Sequence, residues 1–185
     1  MSDARRKWDA RYENPSYGSG PPSELLTDNE ALLPSSGRAL DIACGACRNA
    51  IYLAERGLDV VGLDISTVGL RRAREAAEAA GVDVSLQLWD LERSLLPEGP
   101  FDMIACIHYY QPSLAPAIAE ALAPGGLLVM ETHTTANLQF SSQPSRRYLV
   151  EPNELLTWFP TLQLSSYSEL KGDGRAVAQL IARKL

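Results

Sequence analysis

The sequence predicts an α/β fold: a doubly wound, mostly parallel seven-stranded sheet with an antiparallel C-terminal hairpin and an N-terminal helical lid. Three observations predict it. From residue 38 onward, short apolar runs alternate with segments of helical periodicity. Glycines stop two of the helical segments, at Gly57 and Gly81. Two β-rich runs flank Gly172-Asp173-Gly174 near the C-terminus, which reads as a hairpin.

The elements follow in order. Residues 38–43 (RALDIA) form a short apolar run that stops at Cys44-Gly45 and predict the first strand. Residues 49–56 (NAIYLAER) carry apolar side chains at helical spacing. Residues 58–64 (LDVVGLD) predict the second strand, and Ser66 the N-cap of an Ala/Arg/Glu-rich helix reaching Ala80. Residues 82–90 alternate as a third strand. Residues 101–108 (FDMIACIH) are almost continuously apolar, as a strand covered on both faces must be. Residues 113–123 predict a helix closed by Pro124-Gly125-Gly126, and residues 127–131 a fifth strand. Residues 134–150 are rich in Ser, Gln and Pro and predict a surface loop; residues 152–159 predict a short helix. Residues 162–170 and 176–184 are the closing strands. Residues 1–33 read as a helical lid with a Pro/Gly/Ser hinge at 14–23.

At 185 residues the chain is expected to be one domain, 1–185, with the lid at 1–33 and the α/β core at 37–185. The net charge of −6 argues against a nucleic-acid partner, which selects a cationic face. No apolar run approaches the roughly 18 residues of a membrane span. MSDARRKWDARYENP has basic residues with no apolar stretch behind them, so it does not read as a secretory signal. Three cysteines suit free thiols in a reducing compartment. These features predict a cytoplasmic protein, a monomer or homodimer, whose partner is a small molecule.

Ligands of open α/β sheets bind beyond the carboxyl ends of the strands. The predicted ends carry Asp41 to Asn49 (DIACGACRN), Asp64, Trp89-Asp90-Leu91, Ile107-His108-Tyr109-Tyr110 and Glu131-Thr132-His133. Gly45 permits a tight turn into a helix, whose N-terminal N–H groups favour an anion. Asp64, about 20 residues on, is placed to accept hydrogen bonds from ribose hydroxyls. Asp90 could accept from an exocyclic amine. Each carboxylate has a plainer role available, as a helix cap or a loop acid. Their occurrence at successive strand ends points to a nucleoside ligand.

This series resembles the motif set of class I S-adenosylmethionine (SAM) dependent methyltransferases. It is similar in particular to the small bacterial branch of tellurite-resistance-type methyltransferases. The resemblance rests on WDARY (8–12), RALDIACG (38–45), RNAIYLAERGLDVVGLDIS (48–66), WDLE (89–92), FDMIACIHYY (101–110), LAPGGLLVMET (122–132) and YLVEPNELL (148–156). It implies SAM as cofactor and S-adenosylhomocysteine as product. It implies that Asp41, Ala43, Cys44, Gly45 and Asn49 line the methionine half of SAM. Asp64 then holds the ribose, Ile65 lies beside the adenine, and Asp90 with the Leu91 backbone meets the ring edge. Ile107 and His108 approach the amino group, and Trp8 and Tyr12 fold over the cofactor. The sequence departs from the family at one place. Ala43, Gly45 and Cys47 occupy three positions that are usually glycines, and a cysteine at the third is unusual.

Other readings compete. Cys44-Gly45-Ala46-Cys47 is a C-x-x-C at a strand–helix junction, the setting of thioredoxin-type redox sites. Cys47, Cys106, His108 and His133 are soft donors near strand ends, but Cys106 sits in an apolar strand, and no metal site is expected. The turn lacks the G-x-G-x-x-G of a nicotinamide dehydrogenase. A non-catalytic SAM sensor is the main alternative, because methyl transfer to an ionised nucleophile needs no protein base. For catalysis the candidates are His108, Tyr109 and His133, with Tyr110 and Arg147 on the acceptor side. The imidazoles suit proton removal.

Overall fold

The computed structural model describes residues 2–185; Met1, the first residue of the expected lid, lies outside the described residues. The strands β1 (Arg38–Ile42), β2 (Asp59–Asp64), β3 (Val84–Leu88), β4 (Phe101–Ile107), β5 (Leu122–His133), β6 (Leu162–Gly172) and β7 (Arg175–Lys184) form a seven-stranded sheet. Their order is β3-β2-β1-β4-β5-β7-β6. The chain groups into two compact units, one running to Pro97 and the other Glu98–Leu185, where the sequence alone reads as one domain.

In the first unit β1, β2 and β3 pair in parallel, joined by α3 (Arg48–Glu55) and α4 (Thr67–Ala80). β1 and β2 read as near-continuous apolar runs because both faces are covered, with Leu40, Ile42 and Leu63 fully buried, while the edge strand β3 alternates. α4 starts where expected: the Ser66 hydroxyl accepts from the Gly69 N–H at 3.0 Å. It ends at Gly81 in a left-handed conformation and buries Leu70, Ala73 and Ala77 on one face. The N-terminal segment holds α1 (Asp3–Tyr12) and the single-turn α2 (Glu24–Thr27), with irregular chain between them at the expected hinge.

In the second unit β4 pairs in parallel with β5, and β5 pairs antiparallel with β7. β7 pairs antiparallel with β6 through Asp173 (φ 51°) and Gly174 (φ 75°), the two left-handed positions of a tight hairpin turn. The helix α5 is Ala115–Ala121, shorter than the expected 113–123. Residues 122–126 belong to β5, where Phe101 pairs with Leu122 but Met103 with Leu127, so the Ala-Pro-Gly-Gly stretch bulges out of the ladder. Gly126 makes that bulge possible, since a methyl there would lie 2.9 Å from the Phe101 carbonyl.

The loop at 134–150 is more ordered than its composition suggests, and one helix expectation needs correction. Residues 134–150 contain 3-10 turns at Thr135–Gln139 and Arg146–Tyr148, and a Thr134–Val150 bridge pins their base. Asn137, buried within this polar stretch, accepts from the Ala176 N–H at 3.0 Å, an anchor that composition does not reveal. The expected helix at 152–159 is only a 3-10 turn, Glu154–Thr157, entered through a left-handed Asn153. No helix among the described residues is long and apolar enough to cross a membrane.

Candidate cofactor turn and acceptor cluster

The turn after β1 is built from three left-handed residues. Ala43, Gly45 and Cys47 have φ of 57°, 59° and 66°. These are the three positions at which the resembling family carries glycine, and the backbone explains the preference, because only glycine adopts such φ without steric cost. The turn leaves β1 with the Cys44 N–H on the Leu63 carbonyl and closes with the Cys47 N–H on the Cys44 carbonyl, each at 2.9 Å. Cys47, fully buried, then caps α3.

Asp64 ends β2 beside this turn. Its carboxylate accepts from the Gly45 N–H at 2.8 Å and from the Ser66 N–H at 2.7 Å. Burial pushes its pKa up, against the pull of the Ser66, Gly45 and Ile65 backbone. Asp41 is fully buried within β1, and its Oδ2 has no hydrogen-bond partner. Burial, and then the Asp64 charge, raise its pKa to about 7. β3 reaches the same place: the Trp89 N–H donates to the Asp64 carbonyl at 2.8 Å, so Asp90 lies one residue beyond Asp64's neighbour. The Asp90 carboxylate is engaged locally, with the Glu92 N–H at 3.2 Å and Arg93 at 3.7 Å. Leu91 is buried and Ile65 half-buried. The Asn49 side-chain oxygen is committed to the Ser23 N–H at 2.9 Å, which ties the N-terminal segment to α3.

Tyr12 lies over the turn. Methyl groups placed on Gly18, Gly45 or Gly69 would all press against its side chain, and the one on Gly45 would collide with its hydroxyl. Three small residues thus make the bed for one aromatic ring. Burial, with the Asp64 carboxylate nearby, holds the Tyr12 phenol protonated far above its ordinary range. Trp8 and Tyr17 pack beside it at centroid distances of 6.5 and 5.2 Å from its ring. Two residues that the sequence reading did not single out fasten the segment. Asp9 accepts from the Ser66 hydroxyl at 2.7 Å and the Val68 N–H at 3.1 Å, capping α4 from outside. Arg72 donates to the carbonyls of Tyr12, Asn14, Pro15 and Tyr17. Asp9 stands inside WDARY, which was its only signal. A cavity of about 590 Å³ also lies in this unit, lined by Gly18, Ala46, Arg48, Tyr52, Glu75 and others, but Asp41, Asp64 and Asp90 do not line it.

The C-x-x-C geometry does not suit a redox thiolate. Hydrogen bonding to Cys47 and then burial push the Cys44 thiol well up, opposite to the lowering that activates such a pair. Cys106 is buried in β4, and no group of three metal-ligating side chains occurs among the described residues.

Cys47→Gly is expected to bind SAM at least as tightly as wild type. Glycine adopts the φ of 66° at position 47 without steric cost, so the substitution preserves the shape of the turn. Calorimetry checks this, and a clear loss of affinity would give the thiol a positive role.

The second unit holds the other cluster. His108 follows β4 in a left-handed conformation (φ 61°), its N–H on the Glu131 carbonyl at 2.7 Å. Its ring stacks on His133 at the end of β5, with centroids 4.8 Å apart and planes 10° from parallel. Burial lowers the His133 pKa, against the opposing effects of the Ala176 backbone and Glu131. Glu131 is 1% exposed and faces His108 Nε2 at 3.3 Å, a residue that the sequence placed at a strand end without a role. Ile107 is buried at the last position of β4. The Tyr109 hydroxyl bonds Gln111, and Tyr110 packs edge-on against Trp158 at 5.5 Å. Arg147 is exposed and bonded to the Tyr148 hydroxyl.

Comparison with known proteins agrees with this architecture. Residues 39–126 match the family described as methyltransferase domain. The chain is 32% identical over 136 residues to a ubiquinone biosynthesis O-methyltransferase of Hahella chejuensis, covering 70% of this chain and 57% of that one. The chain spans about half the length of the curated relatives it matches. Among solved structures it superposes on TehB of Haemophilus influenzae with a TM-score of 0.77 at 21% identity, covering 94% of this chain and 66% of that one. It superposes on the N-methyltransferase NodS of Bradyrhizobium japonicum, solved with S-adenosylhomocysteine, with a TM-score of 0.75 at 17% identity, covering 99% of each. Residues 39–126 thus match a methyltransferase domain, and the strand order gives the chain the fold of the methyltransferases on which it superposes.

Proposed function

We propose that this chain methylates a small-molecule acceptor, a thiol, a metalloid oxyanion or a similar nucleophile, with SAM as the methyl source. One observation carries the cofactor side: the left-handed turn at Ala43, Gly45 and Cys47 with the Asp64 carboxylate bound to its Gly45 N–H. SAM, when bound, supplies an already activated methyl group on a sulfonium, so the protein's tasks are to hold, align and exclude water. Asp64 holds the turn through the Gly45 and Ser66 N–H groups and offers its remaining lone pairs to the ribose hydroxyls. Asp41, Ala43, Cys44, Gly45 and Asn49 form the methionine end. Ile65, Asp90 and Leu91 take the adenine. Trp8 and Tyr12 cover the ligand.

His108, Tyr109 and His133 serve the acceptor. The lowered pKa of His133 keeps it neutral at physiological pH, the form that can take a proton. His133→Ala is expected to cut turnover by about 10²-fold or more, within the range of general-base removal, while leaving SAM affinity unchanged. Initial rates with an identified acceptor, together with SAM calorimetry, test this, and an unchanged rate would remove His133 from the acceptor site.

A further inference from the structure

A hydrogen-bonded polar row crosses three strands of the second unit, β6, β7 and β5. Glu131 on β5 is the register partner of both Ile107 on β4 and Gln179 on β7, and Gln179 is the partner of Ser168 on β6. The Ser168 hydroxyl donates to Gln179 Oε1 at 3.2 Å, and Gln179 Nε2 donates to Glu131 Oε2 at 2.7 Å. The amide is thereby fixed with its N–H toward the carboxylate. The other carboxylate oxygen, Oε1, is buried, accepts no hydrogen bond, and faces His108 Nε2 at 3.3 Å. His133, two residues along β5 from Glu131 and on the same face, stacks its ring on His108.

A buried carboxylate oxygen left without a donor is costly. An imidazolium at His108 supplies both the donor and the countercharge. Two parallel imidazoles less than 5 Å apart repel when both are charged, so the pair takes up one proton readily and the second only at lower pH.

We propose that Glu131, held by Gln179, is a positioning residue that raises the proton affinity of the His108–His133 pair. The pair thereby serves an acceptor whose nucleophile arrives protonated, a hydroxyl or thiol. This rests on the reading of His108 and His133 as the acceptor side. In the proton step the acceptor's O–H or S–H bond breaks and its electron pair stays on the nucleophile. The proton passes to the His108 imidazole, whose Nε2 N–H turns to Glu131 Oε1. The other groups acting on the pair are Arg175 of β7, which opposes protonation of His133, and Tyr109, next to His108 in the chain.

The chain has only two histidines, so an NMR titration of their ring protons reads the pair with no acceptor present. The wild type is expected to titrate in two separated, coupled steps. In Glu131→Gln the upper step should fall by about one unit, a tenfold loss of proton affinity, with SAM affinity unchanged. A folded Glu131→Gln protein that titrates like wild type would overturn the proposal. If that variant does not fold, the wild type decides: two independent, uncoupled steps would overturn it equally. A failed titration leaves the acceptor reading to the His133→Ala rates. Unchanged His133→Ala rates beside a successful titration would instead count against the acceptor reading.

Discussion

Asp64→Ala is expected to bind SAM at least about 100-fold more weakly than wild type, because two hydrogen bonds to a charged acceptor contribute about 1.5–3 kcal/mol each. The structure adds a second consequence. The carboxylate also satisfies the Gly45 and Ser66 N–H groups inside a buried site. Its removal leaves two buried donors bare, at about 1–3 kcal/mol each, against a whole-domain margin of about 5–15 kcal/mol. The variant should therefore stay folded with a lowered Tm, and circular dichroism separates the two effects. Asp64→Asn keeps one acceptor oxygen and should recover part of the stability without recovering the affinity. Normal SAM affinity in folded Asp64→Ala would remove Asp64 from the cofactor site.

The Tyr12→Ala variant is expected to release the N-terminal segment. Its ring fills the space left by Gly18, Gly45 and Gly69, and truncating a buried aromatic costs about 3–5 kcal/mol. Arg72 and Asp9 still tie this segment to α4, but those bonds are exposed or only part-buried and do not replace the lost apolar burial. Residues 2–20 should become sensitive to limited proteolysis, while the remainder of the unit keeps its protection. SAM affinity should fall about tenfold or more if the segment covers the ligand. Tighter SAM binding by Tyr12→Ala would instead mean that the Tyr12 hydroxyl occupies the ligand's place at Gly45.

The sheet was legible in the sequence because parallel strands covered on both faces are written as apolar runs, and because Ser66, Gly81 and Asp173-Gly174 are local signals with local causes. The strand-end aspartates were legible for the same reason: a chain that stops being apolar at a fixed place puts its next polar residue at the sheet's edge. What escaped depends on contacts between distant residues. Asn137 looks like any loop asparagine until the Ala176 N–H meets it. Arg72 reads as a solvated helix arginine, yet it collects four carbonyls from residues 12–17. Glu131 was visible as a strand-end acid, but its role comes from register with Gln179, which no single strand reveals. The left-handed φ of Ala43 and Cys47 was equally hidden, because neither side chain announces the backbone it is made to adopt.

The most direct test is calorimetric titration of the folded wild-type chain with SAM and with S-adenosylhomocysteine. Binding of both at micromolar strength, lost in Asp64→Ala, is the predicted result. Absence of binding to either compound, in wild type and in Cys47→Gly alike, would contradict the assignment of the turn and Asp64 as a cofactor site.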